Sequence, residues 1–89
     1  MAVLMKVGAH PKEVRPKEER FSLEEMQRLI RGYVEALYMG DRVIYFDENG
    51  RYKHLPINEK ASDIVSRYYG SSCVIVGTAV LCHRDESMM

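Results

Sequence analysis

The sequence of 89 residues contains no tryptophan, only two cysteines and no excess of either charge. Thirteen basic residues balance thirteen acidic ones, and the two signs alternate along residues 12–20. Domains that bind nucleic acid usually carry a basic excess, because phosphate neutralisation supplies much of their affinity. Nucleic acid is therefore the less favoured partner, and we expect the alternating segment to be a solvated surface.

Long hydrophobic runs are also missing. No apolar stretch approaches the roughly 20 residues that a membrane helix requires. Residues 1–8 lack the charged start, apolar centre and small-residue cleavage site of a signal peptide. We expect a cytoplasmic protein with no membrane partner.

The two cysteines do not form a disulfide framework. Cys73 and Cys82 are nine residues apart, and we expect both on one strand, where about 3.3 Å per residue separates them by roughly 30 Å. That separation is far beyond disulfide reach. Both are interpreted as small hydrophobic residues in a reducing compartment.

Motifs for catalysis or metal binding are absent. The chain has no C-x-x-C, no H-E-x-x-H and no phosphate-binding glycine loop. The Asp47–Gly50 segment resembles half a calcium loop, but position twelve is Asn58, which lacks the usual bidentate carboxylate. The three histidines are far apart in sequence, and none lies in a nucleophile motif. We predict a protein that is not an enzyme and that uses no metal and no cofactor.

Two helices are predicted. Ser22 and Glu25 form a capping box, with Phe21 and Met26 as its hydrophobic staple, at the start of a helix over residues 23–31 that Gly32 ends. The second helix follows Pro56 and is capped by Asn58. Its apolar positions repeat at helical spacing and Gly70 ends it; they are Ala61, Ile64, Val65, Tyr68 and Tyr69.

Strands account for the rest of the predicted fold. They cover residues 2–7, 13–18, 33–39, 42–46, 51–55 and 73–82. Pro16 places the second at a sheet edge, Asn49-Gly50 supplies positive φ for a hairpin that completes a three-stranded meander, and Gly77 marks a bulge or a close backbone approach. The sequence predicts an α+β domain over residues 1–83, with two helices packed on a single mixed, mostly antiparallel sheet of about five to six strands. Residues 84–89 are expected to be a flexible tail.

Six tyrosines are the unusual feature of the composition. Tyrosine is enriched at recognition surfaces because it combines apolar area with a polar tip. The candidate binding site lies on the meander face and the nearby start of the second helix: Tyr33, Glu35, Tyr45, Arg51, Tyr52, Lys53 and Asn58. The tyrosines offer stacking surface and the cations offer charge. The alternative is that most tyrosines are half-buried structural residues, and for Asn58 a purely capping role is preferred.

Four segments together resemble a known family. They are Gly32-Tyr33-Val34-Glu35, Phe46-Asp47-Glu48-Asn49-Gly50-Arg51, Leu55-Pro56-Ile57-Asn58 and Val74-Ile75-Val76-Gly77. Their order and spacing resemble domain-of-unknown-function family 3846, found in bacterial, phage and mobile-element genomes, over most of residues 3–83. Arg31 stands where that family often has a first glycine, Asp47 replaces an asparagine, and residues 66–72 look longer than usual. The resemblance implies an accessory gene of phages or mobile elements and carries over no catalytic residue.

Three functions are weighed from these observations. The first is a non-enzymatic binding protein of phage or mobile-element type that acts in the host cytoplasm against a defence system, by blocking a host protein complex or by sequestering a small signalling nucleotide. The second is a structural, homo-oligomeric accessory protein that pairs through an exposed sheet edge. The third is a nucleic-acid-binding regulator that uses Arg28, Arg31, Arg42, Arg51 and Lys53.

Overall fold

The computed structural model of the protein describes residues 2–70 and 72–88. Numbered along the chain, its strands are β1 Ala2–Met5, β2 Lys12–Val14, β3 Val34–Met39, β4 Arg42–Asp47 and β5 Ala79–His83. The helices are α1 Leu23–Ile30 and α2 Glu59–Tyr69, and a 3-10 turn covers Arg84–Glu86. No helix among the described residues is both long and apolar enough to span a membrane.

The five strands form one sheet in the order β2-β1-β5-β4-β3, and all neighbouring pairs are antiparallel. Alternate side chains point to opposite faces. Val43 and Tyr45 of β4 pack in the cluster that contains Met26 of α1, whereas Ile44 packs with Val65 of α2. One helix therefore covers each face, and the predicted α+β class with helices against a mostly antiparallel sheet is confirmed.

The start of α1 follows its capping signal. The backbone N–H of Glu25 donates to Ser22 Oγ at 3.1 Å, and the Ser22 N–H donates back to Glu25 Oε1 at 2.9 Å. The backbone N–H of Lys17 adds a second donor, and these bonds hold the pKa of the Glu25 carboxyl below its usual range. Phe21 and Met26 are buried in one cluster. The capping box is confirmed.

The end of α1 differs from the prediction by one residue. The helix ends at Ile30, and Arg31 rather than Gly32 takes the left-handed conformation, with φ 67° and ψ 45°. Gly32 is needed for a different reason. A Cβ there would lie 2.5 Å from Asp47 Oδ2 and 2.8 Å from Lys53 Nζ. Arg31, which stands where the similar family often has a first glycine, is thus the residue with left-handed backbone.

The predicted three-stranded meander is wrong. Residues 51–54 are turns and form no strand. Asp47 turns the chain out of the sheet, because its carboxylate accepts the Asn49 N–H at 2.8 Å and its carbonyl accepts the Gly50 N–H at 3.1 Å. Gly50 lacks the positive φ expected of it; it is packed against Val76, whose Cγ2 would lie 2.7 Å from an added Cβ. β5 pairs with β4 instead.

The long final strand is also shorter than predicted. β5 begins at Ala79, because Gly77, at φ 77°, breaks the extended backbone just before it. The predicted close approach at Gly77 is confirmed, since an added Cβ would lie 2.7 Å from Leu55 Cδ1. Cys73 therefore does not share a strand with Cys82, and the two pack in the clusters on opposite faces of the sheet.

The remaining boundaries differ in detail. The second helix has its predicted cap and stop, Asn58 and Gly70, the latter at φ 70°. β1 ends at Met5, and β2 is a three-residue edge strand that ends before Pro16.

Residues 84–88, expected to form a flexible tail, lie against the core. The Glu86 carbonyl accepts the Phe21 N–H at 2.9 Å, Ser87 is buried and Met88 packs on the α1 cluster. Met89 lies outside the described residues.

Candidate functional site

Two of the residues predicted to bind are interior. Tyr45 is 1% exposed, and its hydroxyl accepts the backbone N–H of Met88 at 3.0 Å. Burial raises the pKa of this phenol. A ring in this position supports the α1 cluster and offers no stacking surface.

Asn58 joins three segments of the chain. Its Oδ1 accepts the Ala61 N–H at 3.1 Å, which is the predicted helix cap, while Nδ2 donates to the carbonyls of Met5 and Gly77, both at 2.9 Å. Its own N–H donates to the Ile75 carbonyl at 2.8 Å. Asn58 therefore caps α2 as expected, but its role is not purely capping, because both donors of its amide are used to hold β1 and the residues before β5.

The other predicted site residues are exposed, and they lie on β3, on the residues before it and in the turn after β4. Tyr52, in the turn after β4, is 89% exposed, and Tyr33 is 66% exposed just before β3. Glu35 lies on the edge strand β3 and is exposed. Arg51 donates its guanidinium to the Val74 carbonyl at 3.1 Å. The segments of Tyr33 and Lys53 lie close together, since Lys53 Nζ would be 2.8 Å from a Cβ on Gly32 and the Tyr33 carbonyl accepts the Glu48 N–H at 3.0 Å.

Lys53 belongs to a close pair beside Gly32. Its Nζ lies 2.7 Å from Asp47 Oδ2, and the Asp47 side chain is only 2% exposed whereas that of Lys53 is 43% exposed. The Lys53 side chain is therefore held by Asp47 and is still partly exposed to solvent. A cleft of about 330 Å³ lies at this end of the sheet, and its lining includes Asp47, Lys53, Lys6, Arg31 and Thr78. We call it the basic cleft.

At the opposite end of the strands lies a group of exposed aromatic rings that the sequence did not identify. We define the tyrosine patch as Tyr38, Tyr68, Tyr69 and Arg84. The three tyrosines are 43%, 56% and 45% exposed, respectively, and Arg84 is exposed. The patch joins the last residues of α2 to the β3–β4 hairpin and to the residue that follows β5.

Direct contacts hold the tyrosine patch together. The Tyr69 hydroxyl donates to the Tyr38 carbonyl at 2.6 Å. The rings of Tyr68 and Tyr69 meet edge to face with centroids 5.0 Å apart. The Arg84 guanidinium carbon lies 5.0 Å from the centroid of the Tyr38 ring, within the range of a cation–π contact. These contacts restrict the Tyr68 and Tyr69 rings and place Arg84 against Tyr38.

The backbone beneath the patch is also constrained. Gly40, at φ 66°, stands at the first central position of the two-residue turn, where a type II′ hairpin requires glycine. The Arg84 N–H donates to the Asp41 carbonyl at 2.8 Å. The hairpin and the chain after β5 are thereby joined below the rings.

The periodicity of α2 placed these tyrosines in the core. Ala61 and Val65 are buried as predicted, but Tyr68 and Tyr69 are exposed. They occupy the last two positions of the helix. Their exposure could have been inferred from their position, two adjacent tyrosines directly before the glycine that ends the helix. Residues in the final turn of a helix can extend beyond the sheet that packs against its middle.

The nucleophilic and metal-binding side chains are not grouped. Across residues 2–70 and 72–88, no three His, Cys, Asp or Glu side chains are placed to hold a metal ion. Cys82 is 1% exposed, and burial raises the pKa of its thiol to about 11. Such a thiol is almost wholly protonated at neutral pH and is a poor nucleophile.

The fold defines a small α+β domain with an antiparallel five-stranded sheet and one helix on each face. The chain belongs to the DUF3846 family, a domain of unknown function whose family model matches residues 2–88. The resemblance found in the sequence is thereby confirmed. No curated protein and no solved structure matches this chain.

Proposed function

We propose that the protein is a non-enzymatic binding protein that attaches to a protein partner through the tyrosine patch. The observation that carries the proposal is the edge-to-face pair of exposed rings, Tyr68 and Tyr69, at the end of α2. The Tyr69 hydroxyl fixes this pair to the backbone of the β3–β4 hairpin, where the Tyr38 ring lies against Arg84. Tyrosine and arginine are enriched among the residues that dominate binding energy at protein interfaces.

The energetics of binding favour such a surface. An aromatic side chain buries about 150–250 Å² and has few rotatable bonds. Immobilising a rotamer-rich side chain at an interface costs about 0.5–1.5 kcal/mol. In the tyrosine patch the bond from Tyr69 to the Tyr38 carbonyl already restricts one ring, so part of that cost is met on folding.

The biological setting we propose follows the family context. The protein acts in the cytoplasm of a host cell, as a product of a phage or mobile element, and blocks a protein complex of a host defence system. A domain of 89 residues can block by occupying a surface, which requires position and shape and no reacting group.

The nucleic-acid alternative is less well supported by the arrangement of the cations. Arg42, at the start of β4, and Lys53, after its end, lie near opposite ends of the sheet. Arg51 is engaged with a backbone carbonyl, and Arg28 lies on α1. These residues form no continuous stripe along one face.

The test uses binding to purified bacterial defence complexes, including nuclease complexes, measured by interferometry against the immobilised protein. We expect one complex to bind the wild type. The double variant Tyr68→Ala/Tyr69→Ala should bind it at least about tenfold more weakly, because hot-spot truncations cost 2 kcal/mol or more.

Tyr52→Ala is the matched control. Tyr52 is the most exposed of these rings and lies in the turn beyond β4, away from the tyrosine patch, so its removal should leave the affinity unchanged. Failure of every complex to bind, or equal weakening by the control and the double variant, contradicts the proposal. Thermal unfolding of each variant separates lost binding from lost folding.

A further inference from the structure

The basic cleft departs from the charge balance of the chain. The residues that line it include Lys6, Arg31 and Lys53, and among the described residues that line it there is one carboxylate, Asp47. That carboxylate is buried and already accepts from Lys53 Nζ at 2.7 Å and from the Asn49 N–H at 2.8 Å. The residues around the cleft therefore carry three positive charges against one paired negative charge.

Another groove on the same molecule shows the opposite character. It lies between β2 and the 3-10 turn, and its lining includes Glu13, Glu18, Glu19 and Glu86 together with Arg15. The positive cleft and this acidic groove coexist in a chain with thirteen charges of each sign. The cation excess at the basic cleft is thus local and does not follow from composition.

The backbone of Arg31 is the second observation. Its left-handed conformation costs little for glycine but is unfavourable for a residue with a Cβ. Gly32 cannot exchange roles with it, because the space beside Gly32 is filled by the Asp47–Lys53 pair. The chain therefore keeps a strained arginine at the rim of the cleft, and strained backbone of this kind clusters at binding sites.

Lys53 retains binding capacity despite its ion pair. An ammonium group has three donors, and Asp47 accepts one of them. The side chain is 43% exposed, so the remaining donors face the cleft or solvent. Asp47 acts on a ligand only through Lys53 and is a positioning residue.

The end of α1 opposes an anion weakly, since a helix C-terminus carries partial negative charge. The Gln27 carbonyl there already accepts the N–H groups of Arg31 and Gly32 at 2.7 and 3.3 Å. The partial negative charge of this carbonyl is thereby largely offset by N–H donors within the protein. The three cations determine the sign of the electrostatic potential in the basic cleft.

From these observations we infer that the basic cleft binds the phosphate group of a small organic phosphate. The volume of about 330 Å³ lies at the low end of the range for small-molecule sites. Ile30, Leu55 and Pro56 give it an apolar wall against which the uncharged part of the ligand rests. The size and the mixed lining fit a mononucleotide. This site is separate from the tyrosine patch and does not rest on the function proposed for that surface.

The test is titration by calorimetry and by amide chemical shifts with three probes. Adenosine 5′-monophosphate should bind and shift the amides of Lys6, Arg31, Lys53 and Thr78. Inorganic phosphate should shift the same amides with lower affinity, and adenosine should not bind. Absence of binding by both phosphates up to about 10 mM, where affinity is only marginal, overturns the inference, as does equal binding of adenosine.

Two variants separate a binding role from a structural one. Arg31→Gly should weaken the monophosphate at least about tenfold through loss of a charge-assisted hydrogen bond, and should raise the melting temperature because the strain is relieved. Lys6→Gln, which leaves the buried pair intact, should weaken binding about three- to tenfold.

Arg67→Ala is the charge-matched control. Arg67 is paired with Asp63 on α2, and this variant should bind the monophosphate as the wild type does. If Arg31→Gly and Lys6→Gln weaken binding no more than Arg67→Ala does, the cleft is not the site and the inference fails. A tyrosine-patch variant should retain full monophosphate affinity, which keeps the two proposals distinguishable.

Discussion

Gly32 and Gly8 show that two glycines in one small domain serve different physical needs. Gly32 has an ordinary φ but no space for a Cβ, whereas Gly8 has φ 75° and no atom within 4 Å of an added Cβ. Close packing against a buried ion pair requires the first, and left-handed backbone requires the second. Sequence shows the residue and not which of these needs it meets.

Replacing each glycine by alanine should separate the two needs. Gly32→Ala forces the Asp47–Lys53 pair apart and should lower the free energy of unfolding by about 2–3 kcal/mol. Gly8→Ala meets only the left-handed penalty, about 1 kcal/mol. Urea unfolding followed by circular dichroism measures both. An equal loss of unfolding free energy in the two variants would show that the Asp47–Lys53 pair moves aside at no energetic cost.

Residue-scale chemistry explains why the candidate site could be predicted only in part. Tyr52 and Lys53 were expected to be available for binding on a strand of the meander, and they are exposed in the turn after β4 instead. Tyr45 is interior since β5, and not residues 51–55, supplies the second neighbour of β4. The partner of a central strand is a long-range choice that no local pattern of side chains encodes.

At the scale of elements, the helices were predicted well and the strands after residue 47 were not. Each helix carries its own start and stop signals, such as Ser22 with Glu25 and Asn58 with Gly70. A short apolar run such as residues 73–78 fits a strand by pattern alone. In the folded chain this run is a connection, with Ile75 buried and Val76 bridged to Ile57, since Gly77 interrupts it before the sheet begins.

The two helix caps differ in what else they hold, and alanine substitution should reveal it. Ser22→Ala removes an exposed cap and should cost about 1 kcal/mol. Asn58→Ala removes the α2 cap and leaves the buried carbonyls of Met5 and Gly77 without their side-chain donor, so it should cost about 3–4 kcal/mol.

Chemical unfolding of the two cap variants measures the difference, and amide hydrogen exchange locates it. The Asn58 variant should lose protection in β1 and in residues 75–79 as well as in α2. A loss confined to the first turn of α2 would mean that Asn58 is only a cap.

At the scale of the whole molecule, the described part of the chain closes on itself through its last residues. The Phe21 N–H donates to the Glu86 carbonyl and the Tyr45 hydroxyl accepts the Met88 N–H, so the segment after β5 is joined both to the segment before α1 and to β4. A hydrophilic tail is the natural expectation from residues 84–87. Residues 84–88 are held largely by backbone carbonyl and N–H groups, and because every residue type carries a backbone carbonyl, the sequence gives no sign of these contacts.

A variant that ends at His83 should test this closure. Deletion of residues 84–89 removes the Met88 N–H that donates to the Tyr45 hydroxyl, which costs about 0.5–1.5 kcal/mol, and exposes apolar surface of the α1 cluster. We expect a lower melting temperature by calorimetry, with near-normal far-ultraviolet circular dichroism. A deletion of Met89 alone is the comparison, and an unchanged melting temperature in the longer deletion would contradict the closure.

The separation between the two ends of β4 has a practical meaning for substitutions at either end. Six residues span roughly 17 Å in a strand, and the molecule measures 33 × 26 × 22 Å. The tyrosine patch and the basic cleft therefore lie roughly 17 Å apart, so a substitution at one of them makes no direct contact with the other.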